Sequence, residues 1–101
     1  MATNQAVNAR RFIRFRAAAG TIAQVEIKLS EDLRTFQPNH IMIVHEESQK
    51  GFGAISLSHR LLKPGTKCRV KVGRLSPRFA EVRWRKDPDK DIMRLGFQYL
   101  D

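Results

Sequence analysis

Lys67-Cys68-Arg69-Val70-Lys71-Val72, followed after Gly73-Arg74-Leu75-Ser76-Pro77 by Arg78-Phe79-Ala80-Glu81-Val82-Arg83-Trp84-Arg85, is the stretch that decides the fold. Cys68, Val70 and Val72 alternate with Lys67, Arg69 and Lys71. Ala80, Val82 and Trp84 alternate with Glu81, Arg83 and Arg85, and only Phe79 breaks the pattern. A period of two sends successive side chains to opposite faces, so both segments read as strands with one apolar face. Residues 73–77 hold the Gly, Ser and Pro of a turn and would pair the two strands antiparallel. Lys67, Arg69, Lys71, Arg83 and Arg85 then form a positive outer face suited to an acidic partner, while Trp84 belongs to the core side.

The same period recurs on either side. Val25, Ile27 and Leu29 alternate with Gln24, Glu26 and Lys28, and Met93, Leu95, Phe97 and Tyr99 with Arg94, Gly96 and Gln98. Residues 41–44 (Ile-Met-Ile-Val) form a short apolar run suited to a strand buried on both sides, and residues 52–57 form another, loosened by Gly53. Turn residues fall between these runs at Gln37-Pro38-Asn39, Lys63-Pro64-Gly65-Thr66 and Asp87-Pro88-Asp89. Helical periodicity is confined to residues 10–19. Short strands at roughly ten-residue spacing predict an all-β chain, a small six-stranded antiparallel barrel. Residues 17–101 make that barrel, and residues 1–16 make a flexible, Arg-rich N-terminal arm.

Composition narrows the function. The chain has 101 residues, with Lys plus Arg 19 and Asp plus Glu 10, a net charge of +9. One domain of this size closes one modest core, and a field this positive favours a polyanionic partner. The single cysteine, Cys68, excludes a disulfide framework and a cysteine-based zinc site. His40, His45 and His59 lack metal-ligand spacing. Ser48 lacks a nucleophile elbow, and Glu46 and Glu47, adjacent on a strand, make no acid–base pair. The expectation is therefore a binder with no catalytic residues, no metal and no cofactor, and without a membrane span or signal core its simplest compartment is the cytoplasm.

Two segments carry binding chemistry. Arg10-Arg11-Phe12-Ile13-Arg14 interleaves guanidinium groups with apolar side chains. Such groups fork onto phosphate oxygens and onto the O6 and N7 edge of guanine, although four arginines in the first sixteen residues also make an ordinary basic tail. Glu46-Glu47-Ser48-Gln49-Lys50-Gly51 sets an acid, a hydroxyl and a glycine between two strands. A carboxylate accepts from N1–H and N2–H of guanine, and a turn hydroxyl and amide bind anions, although polar hairpin turns share this composition.

In this order the two segments resemble the PilZ domain family, bacterial receptors for cyclic di-GMP. The family pattern is Arg-x-x-x-Arg before the first strand, then Asp/Asn-x-Ser-x-x-Gly at the junction of the second and third. The likeness continues through Gly53-Ala54-Ile55, Pro64-Gly65, Glu81-Val82-Arg83-Trp84 and Leu95-Gly96-Phe97-Gln98-Tyr99, and so covers about residues 9–100. It implies cyclic di-GMP as ligand, held by Arg10, Arg11, Arg14, Glu46, Ser48 and Gly51. Glu46 departs from the family's Asp or Asn, and its extra methylene moves the carboxylate by about one C–C bond length, ~1.5 Å. With no effector domain in the chain, the resemblance implies an adaptor whose surface changes for a partner protein. The alternatives are a nucleic-acid-binding small barrel and a PilZ-type interaction module without ligand. Trp84, Phe97 and Tyr99 in the core alternation count against the first of these.

Overall fold

The computed structural model describes residues 15–16, 20–28 and 35–100. The strands are β1 (Phe15–Arg16), β2 (Ile22–Glu26), β3 (His40–Glu47), β4 (Gly51–Leu57), β5 (Lys67–Val72), β6 (Arg78–Asp89) and β7 (Ile92–Tyr99), and no helix occurs among the described residues. They run in the order β1-β3-β2-β5-β6-β7-β4, every neighbour antiparallel. The β3–β4 pairing joins the ends, so β2 to β7 close a six-stranded barrel as the alternation predicts. Among the described residues, closure leaves no long unpaired edge. β1, within the stretch read for helical periodicity, is added to β3 beyond β2.

The interior is filled from alternate positions of each strand. Met42, Ala54, Ala80, Val82, Met93 and Leu95 are fully buried, and Leu62, also fully buried, comes from the β4–β5 loop. That loop ends in the Pro64-Gly65 turn, where the Thr66 amide donates to the Lys63 carbonyl at 2.9 Å. Gly65 has φ +93, a left-handed conformation that a side chain disfavours.

Several sequence expectations are corrected. Residues 41–44 are not buried on both sides: Met42 and Val44 face the core, whereas Ile41 is 61% and Ile43 54% exposed. The first barrel strand is Ile22–Glu26, with Ile27 buried just beyond it and Leu29 outside the described residues. β6 continues through Pro88 to Asp89, and the turn is at Lys90 and Asp91. The ladder skips register between Lys86 and Asp89, where Pro88 has no amide to donate.

The five-cation outer face also dissolves. Arg69 is buried: its Nε donates to Glu26 Oε1 at 3.0 Å and its guanidinium donates to the Thr35 carbonyl at 2.7 Å. Glu26 accepts in turn from the Gln37 amide at 2.9 Å, so the pair ties residues 35–37 to the barrel wall. Arg85 donates to the His59 and Leu62 carbonyls and pairs with Asp87, securing the loop that carries Leu62. Both cations have structural partners instead of a free surface.

Candidate functional site

Two bulges decide which side chains reach the site. In strict alternation Glu46 would follow Met42 and Val44 into the core. A register shift between Val44 and Glu46 inserts His45 as an extra residue and turns Glu46 outward. A second shift, between Val82 and Trp84, does the same on β6: Val82 stays in the core and Trp84 comes out. The placement of Trp84 in the core is therefore wrong; it is half-buried on the outer wall.

These shifts assemble a row across four strands. Glu46 on β3 is opposite Gly53 on β4, Gly53 opposite Gly96 on β7, and Gly96 opposite Trp84 on β6. Two side-chain-free positions form the floor, between a carboxylate and an indole. A Cβ on Gly96 would overlap the Trp84 ring, so the glycine is what lets the indole lie flat on β7. Beside this row the turn after Glu47 completes a cavity of about 230 Å³ lined by Glu46, Glu47, Ser48, Lys50, Gly51, Gly53, Arg83, Trp84, Gly96 and Gln98, with Phe52 and Phe97 beneath. That volume is below the ~300–1,000 Å³ typical of small-molecule pockets.

The turn is ordered by its own residues. The Ser48 amide donates to the Gly51 carbonyl at 2.9 Å, the Ser48 hydroxyl donates to the same carbonyl at 3.4 Å, and the Lys50 amide donates to that hydroxyl at 3.2 Å. Gly51 has no positive φ; a Cβ there would overlap the Phe97 carbonyl, so its absence permits the close β4–β7 approach. Electrostatically the cavity is mixed, with Glu46 and Glu47 on one side and Lys50 and Arg83 around them. Arg83 pairs at 3.4 Å with Glu81. At the floor, His45 Nε2 is the one buried side-chain nitrogen or oxygen without a hydrogen-bond partner among the described residues, and its ring lies against Gly53.

Of the residues named from sequence, Glu46, Ser48 and Gly51 line one cavity. Arg10, Arg11 and Arg14 lie outside the described residues. Just after them in the chain, Phe15 is opposite Glu47 and Arg16 opposite Glu46. Trp84, Arg83, Gly53 and Gly96 line the same cavity and are not among the candidates read from sequence. The Gly96–Trp84 pairing left a signal, a glycine and a large aromatic on neighbouring strands, but its register depends on a bulge.

Among the described residues, the two groups with shifted pKa lie elsewhere. Burial, reinforced by nearby His59, holds His40 below its ordinary 6.5, while a hydrogen bond with the Leu57 backbone opposes this. Its Nε2 shares a 2.9 Å hydrogen bond with the Ser56 hydroxyl, and its ring meets that of His59 edge-on at 5.4 Å. Burial pushes the Cys68 thiol up to about 12. Among the described residues no cluster of three or more His, Cys, Asp or Glu could hold a metal, and no helix is long and apolar enough to cross a membrane.

No family model and no curated protein matches the chain. Among solved structures it is similar to the PilZ domain, with c-di-GMP, of YcgR from Escherichia coli: 18% identity and a TM-score of 0.63 over 91% of this chain and 78% of that one. At that identity the likeness is one of fold. The chain has the PilZ fold.

Proposed function

We propose that this protein is a bacterial cytoplasmic receptor for cyclic di-GMP, acting as an adaptor and not as an enzyme. The observation that carries the reading is the β1–β3 register. Arg14 immediately precedes Phe15 in sequence, and Phe15 is opposite Glu47, which lines the cavity. The cavity then supplies a carboxylate, Glu46, for the Watson–Crick edge of a guanine, and the turn from Ser48 to Gly51 for phosphate or base. In this reading the N-terminal arm supplies Arg10, Arg11 and Arg14 ahead of β1, and charge-assisted bonds to phosphate and guanine hold them. The likeness to a PilZ domain solved with c-di-GMP supports the same ligand. The output is an altered surface for an effector protein.

One observation favours a second reading. The internal bonds of Ser48 and the backbone approach at Gly51 explain both residues without a ligand, as expected of a PilZ-type module that binds protein alone. A nucleic-acid barrel gains Trp84 as a half-buried ring on the outer wall, but Glu46 and Glu47 in the same cavity oppose a phosphate track. Calorimetric titration with cyclic di-GMP, GMP and a single-stranded oligonucleotide separates the three. Saturable heat with cyclic di-GMP alone supports the receptor. No heat from any supports the module, and heat from the oligonucleotide alone supports nucleic-acid binding.

A further inference from the structure

The outer face of β2, β3 and β4 is apolar where a barrel exterior is ordinarily polar. Ile22 is opposite Ile43, and Ile43 opposite Ile55, making one row across three strands. In the next row Gln24 is opposite Ile41, and Leu57 opposite Ile92. Met42, Val44 and Ala54 fill the core from the same strands, so these residues point outward by period. Leu57 is 68% exposed, Ile41 61% and Ile43 54%. Exposed apolar residues are normal singly, but a contiguous set marks a binding surface.

The margins of the face specify the occupant. Lys71 is opposite Gln24 on one side. Arg94, opposite Ile55, and Lys86, opposite Arg94, stand on the other, where Asp89 is opposite Ile92 and Asp91 precedes it in the turn. A symmetric pairing of two copies would bring two chains of net charge +9 together along a cationic margin. The face holds no Trp or Tyr of the kind that anchors proteins at a bilayer interface. Rows of aliphatic side chains between cationic margins instead fit the apolar stripe of an amphipathic helix with acidic flanks.

We propose that this face docks an amphipathic helix of a partner protein, apolar on one side and acidic on both flanks. The surface is complete without nucleotide, so the proposal stands apart from the receptor reading. The test uses the full chain without nucleotide and three probes. One is a synthetic helical peptide of about five turns with a leucine stripe and glutamate flanks, the second is its lysine-flanked counterpart, and the third is vesicles of phosphatidylglycerol and phosphatidylcholine. The glutamate peptide should bind, shift the amide resonances of Ile22, Ile41, Ile43, Ile55 and Leu57, and outcompete the lysine peptide by at least about tenfold. Ile41→Thr with Ile43→Thr keeps β-branched residues on β3, and should weaken binding about tenfold or more while the thermal midpoint holds. No binding, equal binding of both peptides, or shifts centred on another face would overturn the proposal. So would vesicle binding that the double variant abolishes, or self-association that it abolishes.

Discussion

Replacing Arg69 by methionine tests the energetics of the fold where the structure departs furthest from the sequence pattern. The change keeps an unbranched stem between Phe36 and Phe79 but removes the guanidinium that pairs with Glu26 and bonds to Thr35. Both side chains are almost fully buried, at 8% and 1% exposed, so the loss leaves a carboxylate without its cation in the barrel wall. Breaking such a pair from one side costs ~3–5 kcal/mol. Glu26 keeps the Gln37 amide, which places the cost at the lower end, about 3 kcal/mol. In a domain of this size that is a fall of ~12–24 °C in thermal midpoint. Glu26→Gln in the same chain removes the stranded charge while keeping an acceptor for Gln37, and should restore about half of the loss or more. Lys67→Met on the same strand, at an exposed position, should stay within ~0.5 kcal/mol. Urea and thermal denaturation of wild type, the two singles and the double close the cycle. A single-variant loss below ~1 kcal/mol, or singles that simply add, would show a solvated pair and refute the reasoning.

Three further outcomes follow from the site and the core. If Glu46 reads guanine as an acceptor pair, Glu46→Gln should weaken cyclic di-GMP binding more than Glu46→Asp in calorimetry, and equal affinities would remove the residue from the base. Cys68, with its thiol pushed up to about 12, should react with iodoacetamide at pH 8 roughly a thousandfold more slowly in native protein than in urea, because the thiolate fraction falls by about that factor; similar rates would mean an accessible thiol. His40 is held below 6.5, so between its folded value and 6.5 the unfolded chain binds more protons and stability rises with pH through that window. The urea midpoint should fall from pH 7 to pH 5, and His40→Gln should remove part of that fall; an unchanged slope would exclude His40 as its source.

The barrel was legible because its signals are local. The alternation around Val70 and Val72, the Pro64-Gly65 turn and the tight glycine-containing turn at Gly51 each act within a few residues. What was not legible depends on partners distant in sequence. Arg69 reads as one more outward cation until Glu26, forty-three residues away, is folded against it. Trp84 reads as core because a bulge adds one residue without any mark in composition. The bulge at His45 acts in the same way: it delivers Glu46 to the outer face, where a strict strand would have buried it. The sequence motif identifies which residues matter at the turn, and two register shifts determine that they share a surface with Trp84.

Hydrogen–deuterium exchange across the whole chain, with and without cyclic di-GMP, tests the central claim most directly, because the account makes the site from two separated segments. Added nucleotide should slow exchange at residues 10–16 together with residues 46–53 and 96–98, and Arg14→Ala should abolish both effects at the same nucleotide concentration. Protection of the turn without the arm, or of neither segment at saturating nucleotide, would contradict it.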